Sequence, residues 1–125
     1  KLVEKGCTNV KVYDVSNTHV STLIAESFKY SNIVLASVTY NLGIFPVMLN
    51  FLEDMKALCL TNRKISIIEN GTWAIKSGTL MTDFVTNELK GMEIIGNKFT
   101  ISSSMKADKE AELDALADAL IESMK

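Results

Sequence analysis

Two short groups of residues could hold a small planar ligand: Thr39-Tyr40-Asn41-Leu42-Gly43 and Asn70-Gly71-Thr72-Trp73. A flat, largely apolar heteroaromatic ring with polar edges is held well by aromatic faces and a few hydrogen bonds. Tyr40 and Trp73 supply the faces. Thr39, Asn41, Asn70 and Thr72 supply hydroxyl and amide groups, and Gly43 and Gly71 let the backbone come close. Each group follows a short apolar run, Asn32-Ile33-Val34-Leu35-Ala36 and Lys64-Ile65-Ser66-Ile67-Ile68, of the kind found in parallel strands covered on both faces. Both groups should then emerge at the carboxyl end of one sheet, where open α/β folds bind their ligands.

Each of these residues also has a purely structural reading. Asn70-Gly71 is a common turn dipeptide, and Asn41 with Gly43 could serve a turn. Tyr40 and Trp73 could cover the end of the core. Glu69, closing its strand, is read as tying down its own loop rather than as an acid or base, and Phe45 and Pro46 as serving a helix start. The methionines at 48, 55, 81 and 124 keep helical spacing and are read as core filler.

The remainder of the composition narrows the function classes. A chain of 125 residues, 47% hydrophobic, suits one domain with a single core, here spanning residues 1–125. Thirteen basic residues spread along a chain of net charge -2 form no stripe for nucleic acid, so no nucleic-acid partner is expected. No apolar run approaches the roughly 20 residues that span a bilayer, so no membrane partner is expected either. Cys7 and Cys59 stand in no metal-ligand or dithiol spacing, and two reduced thiols suit a cytoplasmic location. His19, the only histidine, falls at a helix start and is read as a solvated side chain. The acids of the C-terminal stretch read as a solvated helix face, with docking of a basic redox partner as the functional alternative.

Periodicity then places the elements. Val10, Val12, Tyr13 and Val15 predict a first strand, and Ser16, Asn17 and Thr18 offer caps for a helix with the stripe Val20, Leu23, Ile24 and Phe28. A strand over 33–37 leads to a helix near Pro46 whose core face is Met48, Leu49, Leu52, Met55 and Cys59. A strand over 65–68 precedes a helix carrying Leu80, Met81, Phe84, Val85 and Leu89 and closed by Gly91. Residues 93–101 predict the last strand, and a final helix from about Asp108 presents Leu113, Leu116, Ala117, Leu120, Ile121 and Met124. The alternation predicts a doubly wound parallel sheet in three α/β/α layers. Lys1 to Gly6 reads as the last turn of a helix, so the sequence is expected to start mid-domain.

Tyr13-Asp14-Val15-Ser16, Thr39-Tyr40-Asn41, Gly43-Ile44-Phe45-Pro46, Glu69-Asn70-Gly71 and Trp73-Ala74 are matching segments, in order and spacing, of a known pattern. Together they resemble the flavodoxin-like domain of the flavodiiron proteins, or A-type flavoproteins, which reduce oxygen or nitric oxide. The resemblance implies an FMN-binding electron-transfer module with a flavodoxin-like sheet in the strand order 2-1-3-4-5. It implies FMN-ring contacts at Thr39, Tyr40, Asn41, Gly43, Asn70, Gly71, Thr72 and Trp73. It also implies electron delivery from a redox partner (rubredoxin or a flavin reductase), onward transfer to a diiron domain of the same or a partner subunit, and a homodimer. No catalytic residue and no metal ligand of its own is expected in this chain.

Measured against that pattern, the first strand and the phosphate-holding loop after it have no counterpart, an N-terminal truncation of the fold. Val38, Leu42 and Ile75 also depart from it. Leu42 removes a possible polar contact, while the other two loosen the loops where proline would restrict them. Hydrogen bonds to a charged group contribute about 1.5–3 kcal/mol each, so losing four costs at least roughly 6 kcal/mol. FMN binding by these 125 residues is therefore expected to be weak or absent. The gap at the sheet centre is expected to reflect a fragment. Re-pairing of the Val10 strand with residues 33–37 and a second molecule filling the gap are the other readings. A flavin-free flavodoxin-like domain with an assembly or regulatory role is the alternative function.

Overall fold

The computed structural model describes residues 1–125. Its centre is a pair of parallel strands, β1 (Asn32–Tyr40) and β3 (Lys64–Gly71), in register from Asn32 opposite Lys64 to Val38 opposite Asn70. Ile65 and Ile67 on β3 and Leu35 on β1 turn towards one face and are fully buried there. Beyond β3 lie two short parallel pieces, β4 (Glu93–Ile94) and β5 (Phe99–Ser102). The single strand expected over 93–101 is thus broken, because Gly96 takes a φ of 71° that a ladder cannot accommodate.

β1 turns back on itself through β2 (Gly43–Ile44), an antiparallel pairing that makes the sheet mixed. The two residues between them, Asn41 and Leu42, have φ of 50° and 61°, the signs of a tight two-residue hairpin turn. The sequence reading of Asn41 as turn chemistry thus describes its backbone, and β1 runs through Thr39 and Tyr40, which had been expected in a loop.

Helices cover both faces. α1 (Val20–Lys29), α2 (Pro46–Ala57) and α3 (Ser77–Glu88) enclose one core with Leu23, Phe51, Leu52, Met55, Met81 and Val85. On the other face α4 (Glu110–Ser123), entered through a 3₁₀ turn at Ala107–Lys109, packs Leu116 and Leu120 on Ile95 and Phe99. α2 begins at Pro46 as its sequence predicts. Its inward face departs from the expected one at three positions, since Phe51 is buried while Leu49, and Cys59 just beyond the helix, are exposed. On α1, Phe28 points out and Ser27 points in, its hydroxyl donating to the Leu23 carbonyl at 2.7 Å. α1 is capped by His19, whose Nδ1 accepts from the Ser21 amide at 3.2 Å. The expected caps are occupied differently, as Asp14 accepts from the Ser16 amide and the Asn17 side chain in a turn of its own.

The strand expected at Val10–Val15 is not formed. Residues 7–14 are irregular, and no strand lies against them to complete a ladder. Nor does that segment pair with β1, whose partners are β3 and the β2 hairpin. Residues 1–6 form one turn with a Lys5 amide bond to the Lys1 carbonyl, closed by Gly6 at a φ of 94°. No helix of the structure is long and apolar enough to cross a membrane.

Candidate functional site

The parallel register that sets Val38 opposite Asn70 carries Thr39–Tyr40 and Gly71–Thr72 off the same end of the sheet. Tyr40 is 56% exposed and Trp73 is 81% exposed. An indole that open to water near the end of a strand contributes nothing to the core, so its free face is available to a ligand. Tyr40 is held from one side, its ring meeting Phe45 edge-on at a centroid distance of 5.9 Å. Gly43 is opposite Tyr40 in the hairpin, and Asn41 and Leu42 sit at its tip.

The second group extends the sheet before it becomes a loop. Asn70 and Gly71 are the last residues of β3, and the chain bends only at Thr72, Trp73 and Ala74. The Asn70 side-chain amide donates to the Ser103 carbonyl at 3.1 Å, and the Ser103 amide donates to the Gly71 carbonyl at 2.8 Å. A third loop, after β5, therefore braces the second. A Cβ on Gly71 would lie 2.9 Å from Ile75, so glycine lets the bend fold back on itself.

The first group is tied to the start of α3, the helix that follows the second. Thr39 Oγ1 accepts from the Lys76 amide at 2.9 Å and the Ser77 amide at 3.0 Å, and its proton faces Ser77 Oγ at 3.2 Å. Ser77 Oγ donates in turn to the Ser37 carbonyl at 3.2 Å. The Thr39 hydroxyl thus caps the start of α3. Its contribution to the ligand face is positional, because all its hydrogen-bonding capacity is used inside.

Glu69 anchors the same place from below. Its carboxylate is only 2% exposed and accepts from the Gly78 amide at 2.6 Å and the Thr100 hydroxyl at 2.7 Å, with Lys98 Nζ at 3.0 Å. Burial alone would push the carboxyl pKa up. The bonds from Thr100, Lys98 and Gly78, with the Lys98 charge, outweigh it and hold Glu69 below the usual carboxylate range. Glu69 is therefore a fixed anion that satisfies the first turn of α3 and bonds Thr100 of β5, where its sequence position suggested a tie to its own loop. Ser77, Gly78, Lys98, Thr100 and Ser103 were not singled out from the sequence. The glycine at 78 is the clearest signal that could have revealed them, since a Cβ there would lie 2.5 Å from both Glu69 Oε2 and the Lys98 side chain.

No group of three or more His, Cys, Asp and Glu side chains is close enough to hold a metal ion. The start of α3 is also committed. The α3 amides are taken by Thr39 and Glu69, α2 begins with a proline, and α4 opens with Glu110 and Glu112.

No protein-family model and no curated protein matches this sequence. Solved structures do match it. The rubredoxin oxygen:oxidoreductase of the anaerobe Desulfovibrio gigas superposes with a TM-score of 0.81 at 22% identity, over 98% of this chain and 31% of that one. The flavodiiron protein of Giardia intestinalis gives 0.78 at 13% identity, over 98% of this chain and 30% of that one. A flavodoxin of Streptococcus pneumoniae gives 0.80 at 17% identity, over 98% of this chain and 83% of that one. The chain thus spans about three tenths of the flavodiiron structures and most of the flavodoxin. Its fold is the flavodoxin-like α/β/α sandwich, the fold of flavodoxins and of one part of the flavodiiron proteins.

Proposed function

We propose that this chain is an electron-transfer module that holds the isoalloxazine ring of FMN against Tyr40 and Trp73. The observation that carries this reading is the pair of water-exposed aromatic residues, Tyr40 at the last position of β1 and Trp73 in the bend after β3, at the same end of the sheet, with Thr39 and Glu69 fixing the start of α3 beside them. FMN, when bound, supplies the redox chemistry. The chain orients its ring, with Tyr40 and Trp73 as faces and Asn41, Gly43, Asn70, Gly71 and Thr72 lining its edge. Thr39 acts beneath them by fixing the start of α3 to β1.

The donor set suits the ring and not the phosphate. Anions bind at helix starts with free amides. At α3 those amides are already capped, and one of the caps is the buried Glu69 carboxylate, itself an anion. FMN binding by the 125 residues is accordingly weak, a matter of stacking. Two aromatic contacts at about 1–3 kcal/mol each give a dissociation constant of roughly 1 mM.

By likeness to the flavodiiron structures, the module passes its electrons to a diiron site in another domain of an oxygen or nitric oxide reductase. It receives them from a redox partner protein, rubredoxin or a flavin reductase, in a homodimeric cytoplasmic assembly. The alternative, a flavin-free domain serving assembly or regulation, draws support from the capped amides at the start of α3 and from the Tyr40 contact with Phe45. A titration with FMN followed by amide and indole NMR shifts separates the two. Shifts centred on Tyr40, Thr72 and Trp73 support the first, and their absence at millimolar FMN supports the second.

A further inference from the structure

The two helices that flank the hairpin leave an open groove on the outside of the fold. It encloses about 410 Å³ between α2 and α3, beginning at β2, and is walled by Ile44, Leu49, Leu80 and Phe84 with the acids Asp83 and Glu88. Each helix turns one stripe towards it. On α3, Asp83 and Phe84 follow Leu80 by three and four residues, and Glu88 comes one turn later. On α2, Glu53 follows Leu49 by one turn and Lys56 comes next along the same face. Leu49 is 37% exposed and Leu80 36%, and Leu42, beside the Gly43 that opens the groove, is 55% exposed. Aliphatic side chains gathered in the open around a groove mark a contact surface.

The charge of this face is one-sided. α2 and α3 carry four acids, Glu53, Asp54, Asp83 and Glu88, and a single base, Lys56. Lys56 pairs with Glu88 at 2.6 Å and closes the end of the groove away from the hairpin. Glu53 and Asp83 are exposed and have no ion pair, so a cation on an occupant would meet them unopposed. The other acid-rich helix, α4, differs in this respect. Lys1 pairs with Glu110, Lys5 with Asp118, Lys109 with Glu112 and Lys125 with Glu122. The acids expected from the sequence to receive a basic partner are thus largely met within the chain, and those of the groove are not.

We propose that the α2–α3 groove docks a basic amphipathic helix of a partner protein. An aliphatic residue of that helix sits over Ile44, Leu49, Leu80 and Phe84, and a lysine or arginine one turn along faces Asp83 and Glu53. The dimensions favour a helix. From Leu80 to Glu88 the wall runs about 12 Å, which matches two turns of an occupant, and helices that lie in grooves anchor at this i, i+4 spacing. Burial of the aliphatic anchor supplies most of the affinity, while the cation steers the approach and sets the register. Gly43 pairs with Tyr40 across the hairpin, so the upper end of the groove adjoins the end of β1 that carries Tyr40. The inference stands whether or not the chain binds a flavin.

The test titrates the chain with the amphipathic peptide Leu-Lys-Lys-Leu-Leu-Lys-Lys-Leu-Leu-Lys and follows amide NMR shifts. A second peptide, with glutamate in place of every lysine, serves as the control. Shifts are expected at residues 43–49 and 80–88, with binding of the glutamate peptide weaker by about tenfold or more. Leu80→Gln is expected to weaken the lysine peptide by about tenfold and Asp83→Asn by about threefold, both side chains being exposed enough for the fold to survive their loss. Four results overturn the proposal: no shifts in the groove at millimolar peptide, shifts centred on α4 at Glu112 and Asp118, equal affinity for the two peptides, or unchanged binding by both variants. A chain that is dimeric in light scattering with the groove residues protected from hydrogen exchange also overturns it, since the occupant is then a second copy.

Discussion

Replacing Glu69 by alanine tests how the site is held. The carboxylate accepts from the Gly78 amide at 2.6 Å and the Thr100 hydroxyl at 2.7 Å and pairs with Lys98 at 3.0 Å. Truncation leaves a buried amide at the start of α3 without an acceptor, which costs about 1–3 kcal/mol, and loses the Thr100 bond, worth about 1 kcal/mol. Lys98 is partly exposed and can turn to water, so its loss adds little. The sum is about 3 kcal/mol, which for a domain of this size lowers the melting temperature by about 10 °C. The pH dependence follows from the depressed carboxyl. Because its folded pKa lies below the ordinary value, Glu69 stabilises the fold above about pH 4.3, and that contribution is lost as pH falls through the folded value. Urea unfolding of the chain and of Glu69→Ala from pH 7 to pH 3 is expected to show a difference that shrinks in acid. A loss under about 1 kcal/mol at neutral pH, or a difference independent of pH, would refute the reasoning.

Two further substitutions probe the loops. Gly78→Ala sets a methyl 2.5 Å from Glu69 Oε2 and from the Lys98 side chain, so thermal unfolding is expected to show a loss of about 1–3 kcal/mol, and a neutral result would mean that the cluster can shift freely. Leu42→Gly relieves a left-handed φ of 61° at the hairpin tip and is expected to raise stability by up to about 1 kcal/mol in the same assay. Destabilisation instead would mean that the exposed Leu42 side chain carries packing of its own.

Much of the fold was legible because strong apolar runs and helix starts coincide. The runs at 32–36 and 64–68 are the two central strands, and Pro46 opens α2. What periodicity could not reveal depends on neighbours. Val10, Val12 and Val15 have strand-forming side chains, yet a strand needs a ladder partner and none lies beside them. The interruption at Gly96 depends on a backbone angle, and the burial of Ser27 in place of Phe28 on where helix α1 meets β1 and α2.

At the site, the residues with ligand-like chemistry were identifiable by type, and Tyr40 and Trp73 do share an end of the sheet. The division of labour among them was not legible. Thr39 looks like a ligand hydroxyl in sequence, but its partners at 76 and 77 lie far along the chain and arrive only with α3. Glu69 likewise meets Lys98 and Thr100 only because β5 pairs with β3.

The central claim is that the Tyr40 and Trp73 loops face an isoalloxazine ring. Its most direct test is an NMR titration of the chain and of Trp73→Ala with FMN and, separately, riboflavin. The account predicts shifts of the Trp73 indole N–H and of the Tyr40 and Thr72 amides, a dissociation constant of roughly 1 mM that is similar for both ligands, and weakening by about tenfold on loss of the indole. Unmoved signals at those three residues, or a much tighter affinity for FMN than for riboflavin, would contradict it.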